Sequence, residues 1–211
     1  GTDNCDIVLN ELDALANIDF ATRTEKDEHR TLEIVRVGTC GGMQEDIPLG
    51  TFLVSEKSIG WDGVLAFYEG RDEIADLGFE DALVDFIHYP AKAARPYVVA
   101  ANPELVNRIA GDDMMRGCTI AANGFYGPQG RVLRCDLAVK DINERITDFR
   151  YEGQRITNYE MEGSAIAGLS LLMGHKAMTV CCVIAQRKVE AANTDYKPRI
   201  KQLVQTVLER I

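Results

Sequence analysis

Residues Ala177 to Ala185 read AMTVCCVIA, and this unbroken apolar run is the strongest strand signal in the chain. A strand without polar alternation is typical of one that is covered on both faces. Before it, apolar residues recur at three- and four-residue spacing from Met161 to Met173, the pattern of a helix with one buried face, and Gly174 ends this pattern. A helix leading into a buried strand indicates a layered α/β arrangement.

The same alternation continues along the chain. We predict further strands over Leu32 to Val37, Thr51 to Ser55 and Gly117 to Ala122. We predict helices over Asp6 to Leu15, Glu80 to Ile87, Pro103 to Ala110, Lys140 to Tyr151 (in part) and Pro198 to Ile211. The expected fold is a three-layer α/β/α domain over residues 1–211, with a mixed, largely parallel central sheet.

Two of the predicted helices have clear starting signals. Asn102 caps the helix that begins at Pro103. For the first helix, Asp3 or Asn4 would be the cap. Its apolar residues share one side: Ile7, Val8, Leu12 and Leu15. We therefore expect this helix to have one apolar face.

The bulk composition narrows the class of protein. The chain has 211 residues and a formal net charge of -10, which argues against nucleic acid or an anionic membrane as a partner. No apolar run approaches the ~20 residues of a membrane-spanning helix. The six cysteines show no C-x-x-C pair, and the three histidines have no ligand-type spacing. We expect reduced cysteines in a cytoplasmic protein and no metal site.

Two carboxylates stand where an irregular segment is predicted to turn into the Met161 helix, in the sequence Asn158-Tyr159-Glu160-Met161-Glu162-Gly163. Glu162 would lie in or beside the first helical turn, where free N–H groups favour a negative charge. A carboxylate held in this way stays ionised and accepts hydrogen bonds from paired hydroxyls such as a ribose cis-diol. Alone, the motif is better explained by ordinary first-turn acids.

A second cluster, Phe125-Tyr126-Gly127-Pro128-Gln129-Gly130-Arg131, follows the strand that ends near Ala122. It joins an aromatic face, an amide and a guanidinium through a Gly-Pro turn. A third segment, Arg36 to Gly42, carries a guanidinium, the hydroxyl of Thr39 and three glycines that would let backbone N–H groups approach an anion. Taken alone, these glycines more often form a tight turn.

In order and separation, the three segments together resemble the nucleoside phosphorylases, most closely the uridine phosphorylases, over nearly the whole chain. This resemblance implies that Arg36 and Thr39 contact phosphate, with Thr39 also near the ribose. Glu162 would bind the ribose diol, with Glu160 beside it and Met161 packed on the sugar. The residues implied for the base are Phe125, stacking on it; Gln129 and Arg131, at its polar edge; and Ile184 and Arg187, at the far wall.

The resemblance implies phosphorolysis of uridine to uracil and ribose 1-phosphate, with inorganic phosphate as co-substrate and no other cofactor. In purine-specific relatives, an aspartate at the end of the penultimate strand protonates the leaving base. Here that strand ends Ile184-Ala185-Gln186-Arg187, without an acid, which favours a pyrimidine. The alternatives are a non-catalytic nucleoside-binding relative and a purine phosphorylase or nucleosidase.

The resemblance also implies a homodimer, or a hexamer built from dimers. The family has a segment upstream of the position that aligns with Gly1, and that segment supplies strands and phosphate contacts. We therefore expect the chain to be N-terminally incomplete, with a partial phosphate site.

Overall fold

The computed structural model of the chain describes residues 1–187 and 191–211. Two 3₁₀ turns, Val64–Phe67 and Gly127–Gln129, lie between its helices and strands. In chain order, those elements are α1 (Thr2–Asn17), β1 (Ile18–Asp19), β2 (Thr24–Glu25), β3 (Glu33–Gly42), β4 (Phe52–Gly60), α2 (Arg71–Ile74), α3 (Leu77–Ile87), β5 (Tyr97–Ala100), α4 (Pro103–Ile109), β6 (Met114–Ala121), α5 (Ile142–Asp148), β7 (Arg150–Tyr151), β8 (Gln154–Glu160), α6 (Gly163–Leu172), β9 (Lys176–Gln186), β10 (Ala191–Ala192) and α7 (Lys197–Arg210).

The main sheet is mixed, and helices pack against it, which confirms the predicted α/β class. Strands β9, β3, β8, β6 and β4 pair in that order, with β3–β9, β4–β6 and β6–β8 parallel. Strand β4 also pairs antiparallel with β9, so these five strands close into a ring. The antiparallel strands β5 and β10 extend the sheet from β4 and β9. The sequence did not predict the ring closure.

Strand β9 is buried on both faces, as predicted. Its side chains alternate between two apolar clusters. Val180 and Cys182 pack in the cluster that includes residues of α4 and α7, whereas Cys181 and Val183 pack with Leu53 of β4. Buried apolar side chains on both faces explain why no polar residue interrupts this strand.

The apolar side of α1 is exposed. Asp3 and Asn4 lie inside the first turn rather than at the cap, which is Gly1. The buried apolar residue of this helix is Leu9. The side chains that share the predicted apolar side are instead 41–64% exposed: Ile7, Val8, Leu12 and Leu15. The pattern predicted the helix, but this side does not cover the core of the chain as described.

The carboxylate motif lies on a strand, not on an irregular segment. Strand β8 runs through Glu160, and α6 begins at Gly163. The strand went unrecognised because its sequence, QRITNYE, has little apolar character. Glu162 is the residue just before the helix, and its side chain makes no capping hydrogen bond.

The glycine segment of the first motif is also part of a strand. Gly38 to Gly42 continue β3 and pair with β9, with a shift of register between Cys40 and Gly41, so they do not form a tight turn. Residues 33–39 of β3 are only partly buried rather than covered on both faces. Strand β8 reaches β3 only at Gly41 and Gly42.

The structure confirms one predicted helix cap and one predicted helix end. Asn102 caps α4, and its Oδ1 accepts hydrogen bonds from the N–H groups of Glu104 and Leu105, both at 3.1 Å. Gly174 follows α6 with a φ of 74°, in the left-handed region that glycine tolerates. All six cysteines are free thiols. Within the described residues, no helix is long and apolar enough to cross a membrane.

Candidate active site

One cleft, of about 290 Å³, gathers the three sequence motifs. It lies beside β3, where β8 and β9 end and the loop after β6 begins. The position agrees with the rule that ligands of α/β sheets gather beyond the carboxyl ends of the strands. All but one of the predicted site residues line it: Arg36, Thr39, Phe125, Gln129, Arg131, Glu160, Met161, Glu162 and Ile184. The remaining one, Arg187, hydrogen-bonds to Gln129.

Two carboxylates and one guanidinium form one end of the cleft, which we call the acid end (Arg36, Glu160, Glu162). Arg36 Nη1 lies 3.2 Å from Glu160 Oε2, and Arg36 Nη2 donates a hydrogen bond to Glu162 Oε2. The side chain of Glu160 is fully buried, whereas that of Glu162 is 24% exposed. Glu162 is therefore the more accessible of the two carboxylates. Both of its oxygens have partners: Oε2 pairs with Arg36, and Oε1 lies 3.0 Å from the Gly1 ammonium.

Glu160, not Glu162, accepts the hydrogen bonds of the helix start. Its carboxylate accepts from the backbone N–H groups of Glu162 and Gly163, each at 2.9 Å. Burial raises the pKa of Glu160 above its usual range, although Arg36 and these N–H groups act in the opposite direction. The prediction that α6 holds the Glu162 charge directly was wrong: Glu160 occupies those donors and Arg36 holds Glu162.

The Arg36 guanidinium reaches these acids by lying over Gly38. A Cβ at Gly38 would stand 2.7 Å from Arg36 Nη1, so a larger residue would displace the side chain. Arg36 Nη1 also lies 3.2 Å from Cys181 Sγ. Burial lowers the pKa of Arg36, but Cys181 and the two acids outweigh it and hold the pKa above its usual range. Arg36 therefore stays a cation.

The other end of the cleft, which we call the base end (Gln129, Arg131, Arg187), contains two cations around one amide. Gln129 is buried, and its Oε1 accepts hydrogen bonds from Arg131 Nη1 at 2.7 Å and Arg187 Nη2 at 2.6 Å. Burial and the charge of Arg131 lower the pKa of Arg187 to about 10. Because guanidinium groups only donate, the Gln129 oxygen must face them and its NH₂ group is left for a ligand.

Phe125 stands at the mouth of the base end, and its side chain is about half exposed. The Arg131 guanidinium carbon lies 3.7 Å from the centre of the Phe125 ring, and Arg131 also donates to the Phe125 carbonyl. The ring can stack on planar groups. In this structure, the Arg131 guanidinium covers one face of it. Stacking of a base on the same face requires Arg131 to shift.

Apolar and hydroxyl groups line the wall between the two ends. Met161 follows β8 directly, Ile184 lies on β9, and Thr39 lies on β3; all three are partly buried and border the cleft. No group of three or more His, Cys, Asp or Glu side chains among the described residues could hold a metal ion.

Comparison with known proteins identifies the family. Residues 1–210 match the phosphorylase superfamily. The chain belongs to this superfamily. It is 24% identical over 155 residues to a uridine phosphorylase of Thermococcus kodakarensis, which covers 72% of this chain and 48% of the relative. It is 28% identical over 161 residues to uridine phosphorylase A of Schistosoma mansoni, covering 72% and 47%. The chain thus spans about half the length of the curated relatives that it matches.

Solved structures of the superfamily share the fold. A Trypanosoma brucei nucleoside phosphorylase, described as showing uridine phosphorylase activity, superposes with a TM-score of 0.83 at 25% identity, over 100% of this chain and 76% of that one. A Schistosoma mansoni uridine phosphorylase in complex with uracil superposes with a TM-score of 0.63 at 24% identity, over 96% and 64%. The second match shows similarity of fold.

The end of β9 carries no acid in this member of the superfamily. Gln186 is buried, and its Nε2 donates to the carbonyls of Gln44 at 2.7 Å and Ile47 at 2.8 Å. It therefore anchors the loop after β3, while the next residue, Arg187, reaches Gln129. This part of the cleft thus carries a cation and no carboxylic acid among the described residues.

Tyr159 and Asn143 were not among the predicted site residues. Tyr159 is buried in the floor of the cleft, and its hydroxyl donates to Asn143 Oδ1 at 3.2 Å. Tyr159 stands within the Asn-Tyr-Glu-Met-Glu motif, so the sequence could have identified it as a residue of the site. Asn143 lies within an amphipathic stretch, and nothing in its sequence surroundings distinguishes it from a surface residue.

Proposed function

We propose that the complete protein is a uridine phosphorylase, which converts uridine and phosphate to uracil and ribose 1-phosphate. One observation carries the proposal: a partly exposed carboxylate, Glu162, and a base end made of donors lie in the same cleft. Uridine presents a cis-diol on its ribose and carbonyl oxygens on its base. The two ends of the cleft are complementary to these two parts.

In the proposed reaction, a phosphate oxygen bonds to C1′ as the bond from C1′ to N1 of uracil breaks. The electron pair of that bond moves into the base and its carbonyl oxygens. Arg131, Arg187 and the Gln129 amide donate to this growing negative charge. Glu162 holds the diol and places a negative charge near the ribosyl cation that develops. The base then takes its proton from solvent as it leaves.

Phosphate binding depends on more than Arg36 and Thr39, the two residues that we propose to contact phosphate. The charge of Arg36 is shared with Glu160 and Glu162, so the acid end offers little net attraction to an anion. We propose that further donors of the complete protein complete the phosphate site.

The same observation favours a second candidate, a nucleoside-binding protein that performs no phosphorolysis. Such a protein would keep the diol carboxylate and the base end without a complete phosphate site. A purine-cleaving enzyme has less support, because Gln186 and Arg187 stand where an acid would be needed.

We also propose that the protein works as a homodimer or a hexamer of dimers. Support comes from the exposed apolar side of α1, since large exposed apolar patches often mark contacts between proteins. Light scattering at micromolar concentration measures the mass directly, and an active monomer would contradict this proposal.

The decisive assay is release of uracil from uridine by the full-length protein, with and without phosphate. A uridine phosphorylase releases uracil only when phosphate is present and leaves inosine largely intact. Binding of uridine without turnover would support the non-catalytic candidate. Cleavage of inosine as fast as uridine would contradict the argument from Gln186 and Arg187.

A further inference from the structure

Asn143 of α5 lies at the junction between the base loop (residues 125–131) and β8. Its Nδ2 is 3.3 Å from the carbonyl oxygen of Gln129 and 3.4 Å from that of Gly130. Its Oδ1 accepts a hydrogen bond from the Tyr159 hydroxyl at 3.2 Å. An amide side chain donates and accepts at once, so Asn143 joins the loop to the floor of the cleft.

The turn of the base loop is shaped around this side chain. Gly130 has a φ of 67°, and a Cβ at this position would lie 2.3 Å from Asn143 Nδ2. Both the backbone conformation and the close approach therefore require glycine. Within the turn, the N–H groups of Gln129 and Arg131 both donate to the Tyr126 carbonyl, at 3.0 and 2.9 Å. The loop and Asn143 fit each other closely.

Side-chain packing is sparse on one side of this turn. A cavity of about 330 Å³ lies beside the turn, and Gly130, Asn143 and Arg187 all border it. Because this side of the turn faces open space, side-chain packing does not fix the loop there. Among the described residues, the hydrogen bonds of Asn143 connect the Gln129–Gly130 turn directly to α5.

Tyr159 extends the connection to the second cation of the base end. The Arg187 guanidinium carbon lies 5.5 Å from the centre of the Tyr159 ring, within the range of a cation–π contact. Trp61 packs edge-on against the same ring, with centroids 5.8 Å apart. Asn143 therefore hydrogen-bonds to the backbone of Gln129 and to Tyr159, whose ring contacts Arg187.

We propose that Asn143 is the positioning residue of the base end: it orients Gln129 and Arg187 for a pyrimidine and does not touch the substrate. This inference rests on the proposed function, since it concerns how the same cleft holds its base. The acid end makes no contact with Asn143 among the hydrogen bonds of the described residues, so affinity for the sugar should not depend on it.

The test compares Asn143→Ala with Asn107→Ala in the full-length protein. Asn107 lies on α4, away from the cleft, and accepts a weak contact from Arg116 at 3.5 Å. We expect Asn143→Ala to raise the KM for uridine and the Kd for uracil about tenfold, as for one or two lost hydrogen bonds. The Kd for ribose 1-phosphate should stay within twofold. Tyr159→Phe, which keeps the ring, should show a smaller change of the same kind.

Hydrogen exchange supplies a readout that does not need activity. The amides of residues 129–131 should exchange faster in Asn143→Ala than in Asn107→Ala. Equal exchange in the two variants, or faster exchange with unchanged affinity for uracil, would overturn the proposal. A parent protein that binds uracil but does not cleave uridine would sink the proposed function and leave this test in place. A parent that binds no uracil would sink both.

Discussion

The two ends of the cleft use the same residue type in opposite electrostatic settings. At the acid end, Arg36 is paired with Glu160 and Glu162, and its pKa lies above the usual range. At the base end, Arg131 and Arg187 share the oxygen of Gln129, and no carboxylate pairs with them among the described residues. Burial and Arg131 lower the pKa of Arg187 to about 10.

This difference is consistent with the proposed function, because a base that becomes negative as it leaves would meet cations at the base end although the net charge of the chain is -10. The base-end guanidiniums donate to neutral oxygens, those of Gln129 and the Phe125 carbonyl, whereas Arg36 lies against two carboxylates. Under the proposed function, the uncompensated positive charge of the base end meets the negative charge that develops on uracil, and the acid end meets the hydroxyl groups and the positive charge of the sugar.

The largest effect should come from removing the more accessible carboxylate of the acid end. Glu162→Ala removes the acceptor for the diol, a charge-assisted pair of hydrogen bonds worth roughly 2–4 kcal/mol in the transition state. We expect kcat/KM for uridine to fall about 30- to 900-fold with an unchanged fold. Steady-state kinetics of the full-length protein measure this, with Glu209→Ala on α7 as the control. Activity within a few-fold of the parent would refute the role of Glu162.

Removing one donor of the base end should have a smaller effect. Arg131→Ala or Gln129→Ala should raise KM and also lower kcat, because the donors act on charge that grows as uracil leaves. A hydrogen bond to a charged group is worth about 1.5–3 kcal/mol, so we expect a loss of about 10- to 100-fold in kcat/KM. Arg134→Ala, which changes an exposed residue three positions after Arg131, serves as the control. A rise in KM alone would mean that these donors bind uridine without helping it to react.

Arg187→Gln should weaken the binding of uridine without destabilising the fold. Its Nε is buried without a hydrogen-bond partner among the described residues, and its lowered pKa means that the charge costs free energy in the folded state at neutral pH. A neutral side chain removes that cost, roughly 1 kcal/mol after allowance for solvent screening, and loses one hydrogen bond. We expect KM to rise about tenfold while the melting temperature stays equal or rises. A clearly lower melting temperature would show that Arg187 stabilises the fold.

The smallest effect concerns the pH dependence of stability at Glu160. Because the folded-state pKa is raised above 4.5, the folded protein binds this proton more tightly than the unfolded chain does. The resulting stabilisation is complete below pH 4.5 and is lost as the pH rises through the raised pKa, by about 1.4 kcal/mol per pKa unit. In Glu160→Gln this loss should be absent. Urea unfolding between pH 4.5 and 7 measures it, and parallel profiles of parent and variant would refute the raised pKa.

The sequence was a good guide to the class of fold and a poorer guide to pairing. The apolar run of β9 and the periodic helices were visible in local patterns. The ring closure was not, because the pairing of β4 with β9 joins distant parts of the chain. The apolar side of α1 shows the converse limit: periodicity identified the helix, but which side it buries depends on what packs against it.

The candidate site followed from motifs rather than from periodicity. The resemblance named residues that meet in one cleft, yet local reasoning chose the wrong carboxylate for the start of α6. The error arose because β8, with its polar sequence, carries Glu160 into the helix start. Asn143 could not be predicted, since its role depends on the left-handed turn at Gly130 coming within reach of α5.

The most direct test of the proposed roles of the acid end and the base end is calorimetry. It measures the binding of uracil and of ribose 1-phosphate to two variants of the full-length protein. Glu162→Ala should weaken binding of ribose 1-phosphate by at least tenfold and leave the affinity for uracil within twofold. Arg131→Ala should do the reverse. If both variants lost affinity for the same ligand, or if uracil binding depended on Glu162 and not on Arg131, the assignment of the two ends would be wrong.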